Sequence, residues 1–294
     1  MTISIIQKEN FRGSFLMVVA MATFALEDSV IKLVSSVLPV GQILFLLGVG
    51  GALAFTGLGL ILKREFFSTG FFSWPMNSRI ASEVIGRVFY SSALALTPLS
   101  SSTIILQATP LVVVVGAAVL FKESVTAIRW FAVILGFFGV VIIVDPGSDS
   151  FSFLSILAVL GMLGFASRDL ASRAVPKALN IFALGLHGFL SIALSGIVLH
   201  LFNDEPILLP DLSSWLFLLI GIVLGTIGYS AIISAMRMGE VSVITPFRYS
   251  RIIFGVLIGV FFFEEEVTLT AALGCGLILL SSFIVLRPIG RSSQ

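Results

Sequence analysis

The chain has 294 residues, 57% of them hydrophobic and 11% charged, with a net charge of +1 and a mean hydropathy of +1.13. A soluble protein carries about 25% charged residues, so this composition excludes a water-soluble globular domain. The basic residues are dispersed in short links, which argues against a nucleic-acid surface, and the lone Cys275 excludes an internal disulfide.

The apolar residues come in runs of about twenty, the length at which a helix crosses a bilayer. In chain order the expected spans are 13–36, 40–62, 79–97, 100–121, 126–144, 151–174, 179–201, 212–236, 241–263 and 267–287. The expected fold class is therefore an all-α membrane protein with ten transmembrane helices. A β-barrel is set aside, since its strands read as ~10-residue alternating segments. The N-terminal MTISIIQKENFRG has a basic flank, but no clean small-residue cleavage site follows, so it is read as a retained first helix. The polar stretch 63–78 carries Phe66, Phe67, Phe71, Phe72 and Trp74 and suits the membrane interface.

Lysine and arginine set the orientation. With the N-terminus inside, the inner ends hold Lys8, Arg12, Lys63, Arg64, Arg79, Lys122, Arg129, Arg168, Arg173, Lys177, Arg237, Arg287 and Arg291. The outer ends then hold Asp145, Asp149, Asp204, Glu205, Asp211 and Glu264–Glu266, with Lys32 near that side. Both termini are expected to be cytoplasmic.

Sliding the chain by 142 residues lays Phe121–Thr126 (FKESVT) on Phe263–Thr268 (FEEEVT). Ala93 then falls on Ala235, Ser100 on Ser242, Thr103 on Thr245 and Pro146 on Pro288. Five spans separate the copies, and an odd number inverts the second. The expected domains are two inverted five-helix repeats, 13–146 and 151–288. Inverted repeats are a transporter device, because exchanging the conformations of the halves produces the opposite-facing state.

An arginine at bilayer depth costs at least ~2.5–3.5 kcal/mol, so buried charges mark function. Residues four apart on a helix face each other, and Asp28–Lys32 and Glu83–Arg87 have that spacing. Both stand either as self-neutralised pairs or as groups with a direct role. Glu27 is then left against Arg248 and Arg251, which share one face of the ninth span, and the cavity is about one charge positive. A carboxylate or phosphate on a substrate completes it, since the guanidinium fork matches such groups. The alternative is that the arginines cap carbonyls freed by Pro246. Tyr90, Gln107, Tyr229 and Tyr249 are further cavity candidates, because tyrosine at depth offers a ring and a hydroxyl to an organic solute.

His187 reads as a packing residue, Glu264–Glu266 as a solvated link, and Gly255 with Gly259 as a small-residue helix-contact face. No HExxH, GxSxG or GxxxxGK[ST] motif occurs, so neither an enzyme nor an ATP-driven pump is expected, and no cofactor or metal is called for. Coupling to a proton or a counter-substrate is left as the energy source.

The segments ALTPLSSSTIILQATPL, FKESVTAIRWFAVILGFFGVVII and MGEVSVITPFRYSRIIFGVLIGVFFFEEEVT resemble the drug/metabolite transporter superfamily, specifically EamA-type transporters. The pattern GExSxxxPFxYxR, met at Gly239, Glu240, Ser242, Pro246, Phe247, Tyr249 and Arg251, is similar to the proteobacterial S-adenosylmethionine carrier branch. The resemblance implies ten helices and a central cavity reached by Glu27, Tyr90, Gln107, Tyr229 and Arg251. Leu47 stands where many relatives have an arginine, and FEEE where FGE is common. The resulting expectation is a carrier for a small zwitterionic or anionic metabolite, in the bilayer and open to homodimerisation. Arg251, helped by Arg248, is to hold the anionic group, with Glu27 or Asp28 taking a cationic group or a proton. The alternatives are an exporter of amphipathic or aromatic compounds, such as drugs or riboflavin, and a non-transporting scaffold.

Overall fold

The structure, a computed structural model, describes residues 2–63, 73–120, 127–144, 154–173, 180–204, 206–236, 238 and 244–286. Among them all regular structure is helical: α1 (Thr2–Val34), α2 (Val40–Ile61), α3 (Trp74–Leu96), α4 (Leu99–Leu106), α5 (Thr109–Leu120), α6 (Ala127–Val144), α7 (Ser155–Arg173), α8 (Ile181–Asn203) and α9 (Leu212–Ala235). A 3-10 turn (Thr245–Tyr249) then leads into α10 (Ser250–Phe263), and α11 (Leu269–Leu286) follows. The FKESVT link, Gly239, Glu240 and Ser242, and the phenylalanines Phe66, Phe67, Phe71 and Phe72 lie outside the described residues.

Six segments are long and apolar enough to cross a membrane: Gln7–Val34, Val40–Ile61, Leu99–Leu120, Ser155–Ser172, Ile181–Asn203 and Leu212–Ala235. They make this a multi-pass membrane protein. Helix α3 falls short because it carries Arg79, Glu83 and Arg87, all three buried within the protein. Helix α10 falls short by length, with 14 residues. The outward surface is apolar in turn, with Phe202, Leu209 and Phe262 at least 80% exposed.

The fourth expected span is not one continuous helix. It breaks at Gln107–Ala108, whose amide groups donate to Ile104 O and Ile105 O in tight three-residue turns before α5 resumes. Pro110 supplies the cause, since it brings no N–H donor and crowds the preceding turn. Pro246 coincides with the same effect in the ninth span, where the 3-10 turn precedes α10.

The most extensive helix contacts are α2 with α8, α3 with α7, α1 with α9 and α6 with α11, and α4 also packs on α10. An offset of 142 residues carries α6 (127–144) onto α11 (269–286), and similarly α1 onto α7, α2 onto α8, α3 onto α9 and α4–α5 onto the 3-10 turn and α10. Exchanging these equivalents turns the α3–α7 contact into α9–α1 and leaves the other three unchanged, so the packing has a two-fold pattern. The contacts close on small residues. A Cβ on Gly164 would lie 2.4 Å from Gly86 Cα where α7 crosses α3, and one on Gly274 would lie 2.6 Å from Gly139 O where α11 meets α6. Gly255 likewise lies against Thr103, so the small-residue face of α10 packs on α4.

Helix α9 starts at Asp211, whose carboxylate accepts from Ser214 N at 2.9 Å. That bond, with the Ser214 hydroxyl, holds the Asp211 carboxyl below its ordinary range. A depressed carboxyl adds stability above its unfolded pKa and loses it as pH falls through the folded one. The melting-temperature gap between wild type and D211N is therefore expected to be full at pH 7 and to close in strong acid.

Candidate functional site

The buried charges are held across helices rather than along them. Asp28 does not pair with Lys32: its Oδ2 accepts from Arg251 Nη2 of α10 and from Tyr90 Oη of α3, the latter at 3.1 Å. Nor does Glu83 pair with Arg87. Its Oε1 receives Tyr229 Oη of α9 and Arg168 Nη1 of α7 at 3.3 Å, while Oε2 lies 3.5 Å from Arg79 Nη2. Four-residue spacing makes a local pair available, but a buried carboxylate gains more from several donors converging on it from different helices.

Two clusters result. In the first, Asp28 (1% exposed), Tyr90 and Arg251 bind one another, and the Arg251 guanidinium lies 5.5 and 5.9 Å from the Phe24 and Tyr90 ring centres. In the second, Arg168 Nη2 meets Asp169 Oδ1 at 2.8 Å, Arg248 Nη1 meets Asp169 Oδ2 at 3.6 Å, and Glu83 joins them to Arg79 and Tyr229. Two ring groups accompany the clusters, Phe24–Tyr229–Phe189 with centres 6.0 and 5.4 Å apart and Tyr90–Phe165 at 5.8 Å, all in edge or tilted contact. Counting both clusters with Glu27 and Arg87, five arginines face four carboxylates, a surplus of one positive charge.

The sequence-derived residues thus divide. Asp28, Tyr90 and Arg251 come together, Glu27 is buried against Gly225, and Tyr229 meets Phe24 and Phe189 while bonding Glu83. Arg248 belongs to the second cluster through Asp169. Tyr249 is buried where the 3-10 turn meets α10, and Gln107 is buried at the break after α4. His187 is a packing residue whose Nδ1 lies 2.9 Å from Ala183 O, one turn back. Asp169, Arg168, Arg79 and Phe165 are not among the sequence-derived candidates, and Arg87 stands there only with Glu83, as a local pair or as a group with a direct role. Arg79 and Arg168 read as inner-end charges of the positive-inside pattern, and only their depth in the packed bundle distinguishes them.

The acidic link is also more than a solvated connection. Glu264 adopts a left-handed conformation (φ 52°), which turns Glu265 back into the bundle. The Glu265 carboxylate then accepts from Leu99 N at 2.6 Å, Ser100 N at 3.0 Å and Ser100 Oγ at 2.7 Å, capping α4. Lys32 Nζ lies 3.7 Å from the same carboxylate and donates to Thr97 O at 2.7 Å, one of the free carbonyls where α3 ends. Glu265→Gln is expected to lower stability by about 1.5–3 kcal/mol, the range for hydrogen bonds to a charged group. Glu264→Gln, without such contacts in the same link, serves as the control, and chemical denaturation in detergent measures both.

The model of the EamA-like transporter family matches residues 11–145 and 152–287. A riboflavin transporter of Vibrio cholerae is 27% identical over 224 residues, covering 74% of this chain and 72% of the relative. An S-adenosylmethionine uptake transporter of Rickettsia bellii is 25% identical over 61% of each chain. The pseudopaline exporter CntI of Pseudomonas aeruginosa is 25% identical over 86% of this chain and 88% of its own. A crystal structure superposes with a TM-score of 0.65 at 19% identity, covering 95% of this chain and 97% of the other, a likeness of fold.

Proposed function

Because the chain belongs to the EamA-like transporter family, we propose that it carries a small zwitterionic or anionic metabolite across a bacterial inner membrane by alternating access. The relatives are named for riboflavin, S-adenosylmethionine and pseudopaline, all organic solutes. The observation that carries the reading is the buried excess of arginine over carboxylate beside five aromatic rings. An ordinary structural core has no need of an uncompensated charge, because burying one without a partner is costly. A solute bearing a carboxylate compensates it, and the rings provide a stacking surface for its organic part.

The working parts are two five-helix halves, 13–146 and 151–288, with ten crossings and both termini cytoplasmic. The two-fold contact pattern supports the halves, and the offset of 142 places Glu27 on Asp169. Helix α3 crosses because its charges are buried inside the protein, with Arg79 and Glu83 paired there, and α10 because the 3-10 turn lengthens it. Glu27, Asp28, Tyr90, Tyr229 and Arg251 are the substrate-facing groups. Gln107 and Tyr249 stand at the helix breaks that move, and Arg248 fastens the second cluster. The aromatic lining favours a second reading, export of an aromatic compound with the arginines structural.

Thermal shift of the purified protein against a metabolite panel, followed by flux of the hits in proteoliposomes, tests this. A ligand at a hundred times its Kd raises stability by about 2.7 kcal/mol. A zwitterionic or anionic hit that is moved supports the first reading, and neutral aromatic hits alone support the second. A panel with neither binding nor flux overturns transport.

A further inference from the structure

Alternating access requires the contacts between two halves to release at one end of the bundle at a time. Two polar nodes join the proposed halves, and α3 touches both. Near its start, Glu83 takes Arg168 and Tyr229 of the second half, and Arg79 Nε donates to Ser172 Oγ at 3.1 Å. At its far end, Lys32 Nζ of α1 donates to Thr97 O at 2.7 Å and Leu94 O at 3.4 Å, beside the Glu265 carboxylate of the second half. Thr97 lies roughly 20 Å beyond Glu83 along the helix axis. The nodes therefore sit at opposite ends of the bundle, the Glu83 node inner and the Glu265 node outer in the expected orientation.

The outer node is built around one carboxylate. Glu265 accepts from Leu99 N, Ser100 N and Ser100 Oγ, and its side chain is 9% exposed, while Glu264 and Glu266 are open to solvent. Its own N–H donates to Gly259 O at 3.0 Å, and its Oε2 would lie 2.5 Å from a Cβ on Gly259. The glycine on α10 thus leaves room for the carboxylate of the link that follows it.

What this carboxylate holds is a part free to tilt. Helix α4 has eight residues between Pro98 and the break at Gln107–Ala108, so its motion need not carry α5 along. One turn below Ser100, the fully buried Thr103 of α4 packs on Gly255 of α10. The α4–α10 contact is therefore an interface between the halves, and Glu265 closes its outer end.

We propose that Glu265 is the latch of the outer gate. Closed, it joins α10 and its link to α1, α3 and α4, and the outward path opens when the carboxylate leaves Leu99 and Ser100. Glu83 ties the inner end in the same way. The inference rests on the transport reading with its two halves, and gives the acidic link a role outside the substrate site. Its position suits release, since the freed N–H groups at a helix start and a carboxylate beside exposed neighbours both find water, and such an exchange has a small net cost.

The test uses the full-length protein carrying C275S, which removes its one thiol, and T103C as a reporter. A membrane-impermeant charged maleimide is applied to intact cells, which present the outer face, and to inside-out vesicles, and the labelling rate is read. E265Q is expected to raise labelling from outside about tenfold, the lower end of the worth of hydrogen bonds to a charged group. G259A is expected to raise it by a different route, because its Cβ displaces the carboxylate without removing the charge. E83Q loosens the other end and is expected not to raise it. A rise in all three variants means general loosening of the bundle, so Glu265 is a structural cap and the proposal falls. It falls too if either E265Q or G259A folds and leaves labelling unchanged, or if the rise appears only in inside-out vesicles. G259A carries the test alone if E265Q fails to fold, since its clash is with the end of a flexible side chain. Flux of the metabolite panel decides transport separately: a solute moved while all labelling rates stay equal keeps transport and removes the latch, and no flux for any solute removes both.

Discussion

Replacing Glu83 with alanine is expected to cost about 3–5 kcal/mol, the range for removing one member of a buried ion pair. Glu83 is fully buried, and its carboxylate is the shared acceptor for Arg168 and Tyr229 and the counter-charge of Arg79. Truncation therefore leaves two guanidinium groups in the interior facing only Asp169, which Arg248 already shares. The neutral isostere separates the contributions: Glu83→Gln keeps an acceptor for Tyr229 and loses the charge, so it should fall between wild type and alanine. Glu83→Leu combined with Arg168→Leu should recover part of the loss, because a buried ion pair replaced as a whole by apolar groups is often neutral. Denaturation midpoints of the two single variants and the double variant give the coupling energy directly. A cost of about 1 kcal/mol or less, as for exposed pairs, would mean that the cluster is hydrated and does not lock α3 to α7.

Gly164→Ala is expected to destabilise the protein by about 1–3 kcal/mol, as overpacking does in a close-packed interior. The added Cβ would sit 2.4 Å from Gly86 Cα and 2.5 Å from Gly86 N, backbone atoms that cannot swing aside, so α7 and α3 must separate. Separation also draws Arg168 away from Glu83, which links this contact to the charge cluster. Gly57→Ala in α2 is the matched control, since a Cβ there meets nothing within 4 Å. Helix propensity alone favours both substitutions by up to about 1 kcal/mol, so opposite signs isolate the packing term. Melting temperatures in one detergent measure both, and a stabilising Gly164→Ala would show that the crossing is looser than described.

Sequence alone determined the class of this protein and the position of its helices. Runs of apolar residues report on each segment separately, because a backbone in lipid must satisfy its own hydrogen bonds whatever its neighbours do. Expected spans such as 126–144 and 212–236 therefore meet the observed Ala127–Val144 and Leu212–Ala235 closely. The offset of 142 residues was legible for the same reason, being a comparison of the chain with itself. Prolines were visible too, yet the break at Gln107–Ala108 was not drawn from Pro110, since a proline interrupts or merely bends a helix according to what can satisfy the freed carbonyls.

Only the tertiary structure decided the partners of the buried charges. Four-residue spacing suggested Asp28–Lys32 and Glu83–Arg87, and both dissolved. Asp28 reaches Arg251, 223 residues away, and Glu83 reaches Tyr229, 146 residues away, while Lys32 turns to Glu265 and Arg87 is left without a carboxylate. The positive surplus foreseen for Arg248 and Arg251 persists, but its seat is the second cluster, where Arg79, Arg168 and Arg248 face only Glu83 and Asp169. The physical reason is that the strength of an ion pair depends on burial and on the number of converging donors, and both belong to the packed bundle. Hydropathy is a property of each helix, whereas neutrality is a property of the bundle.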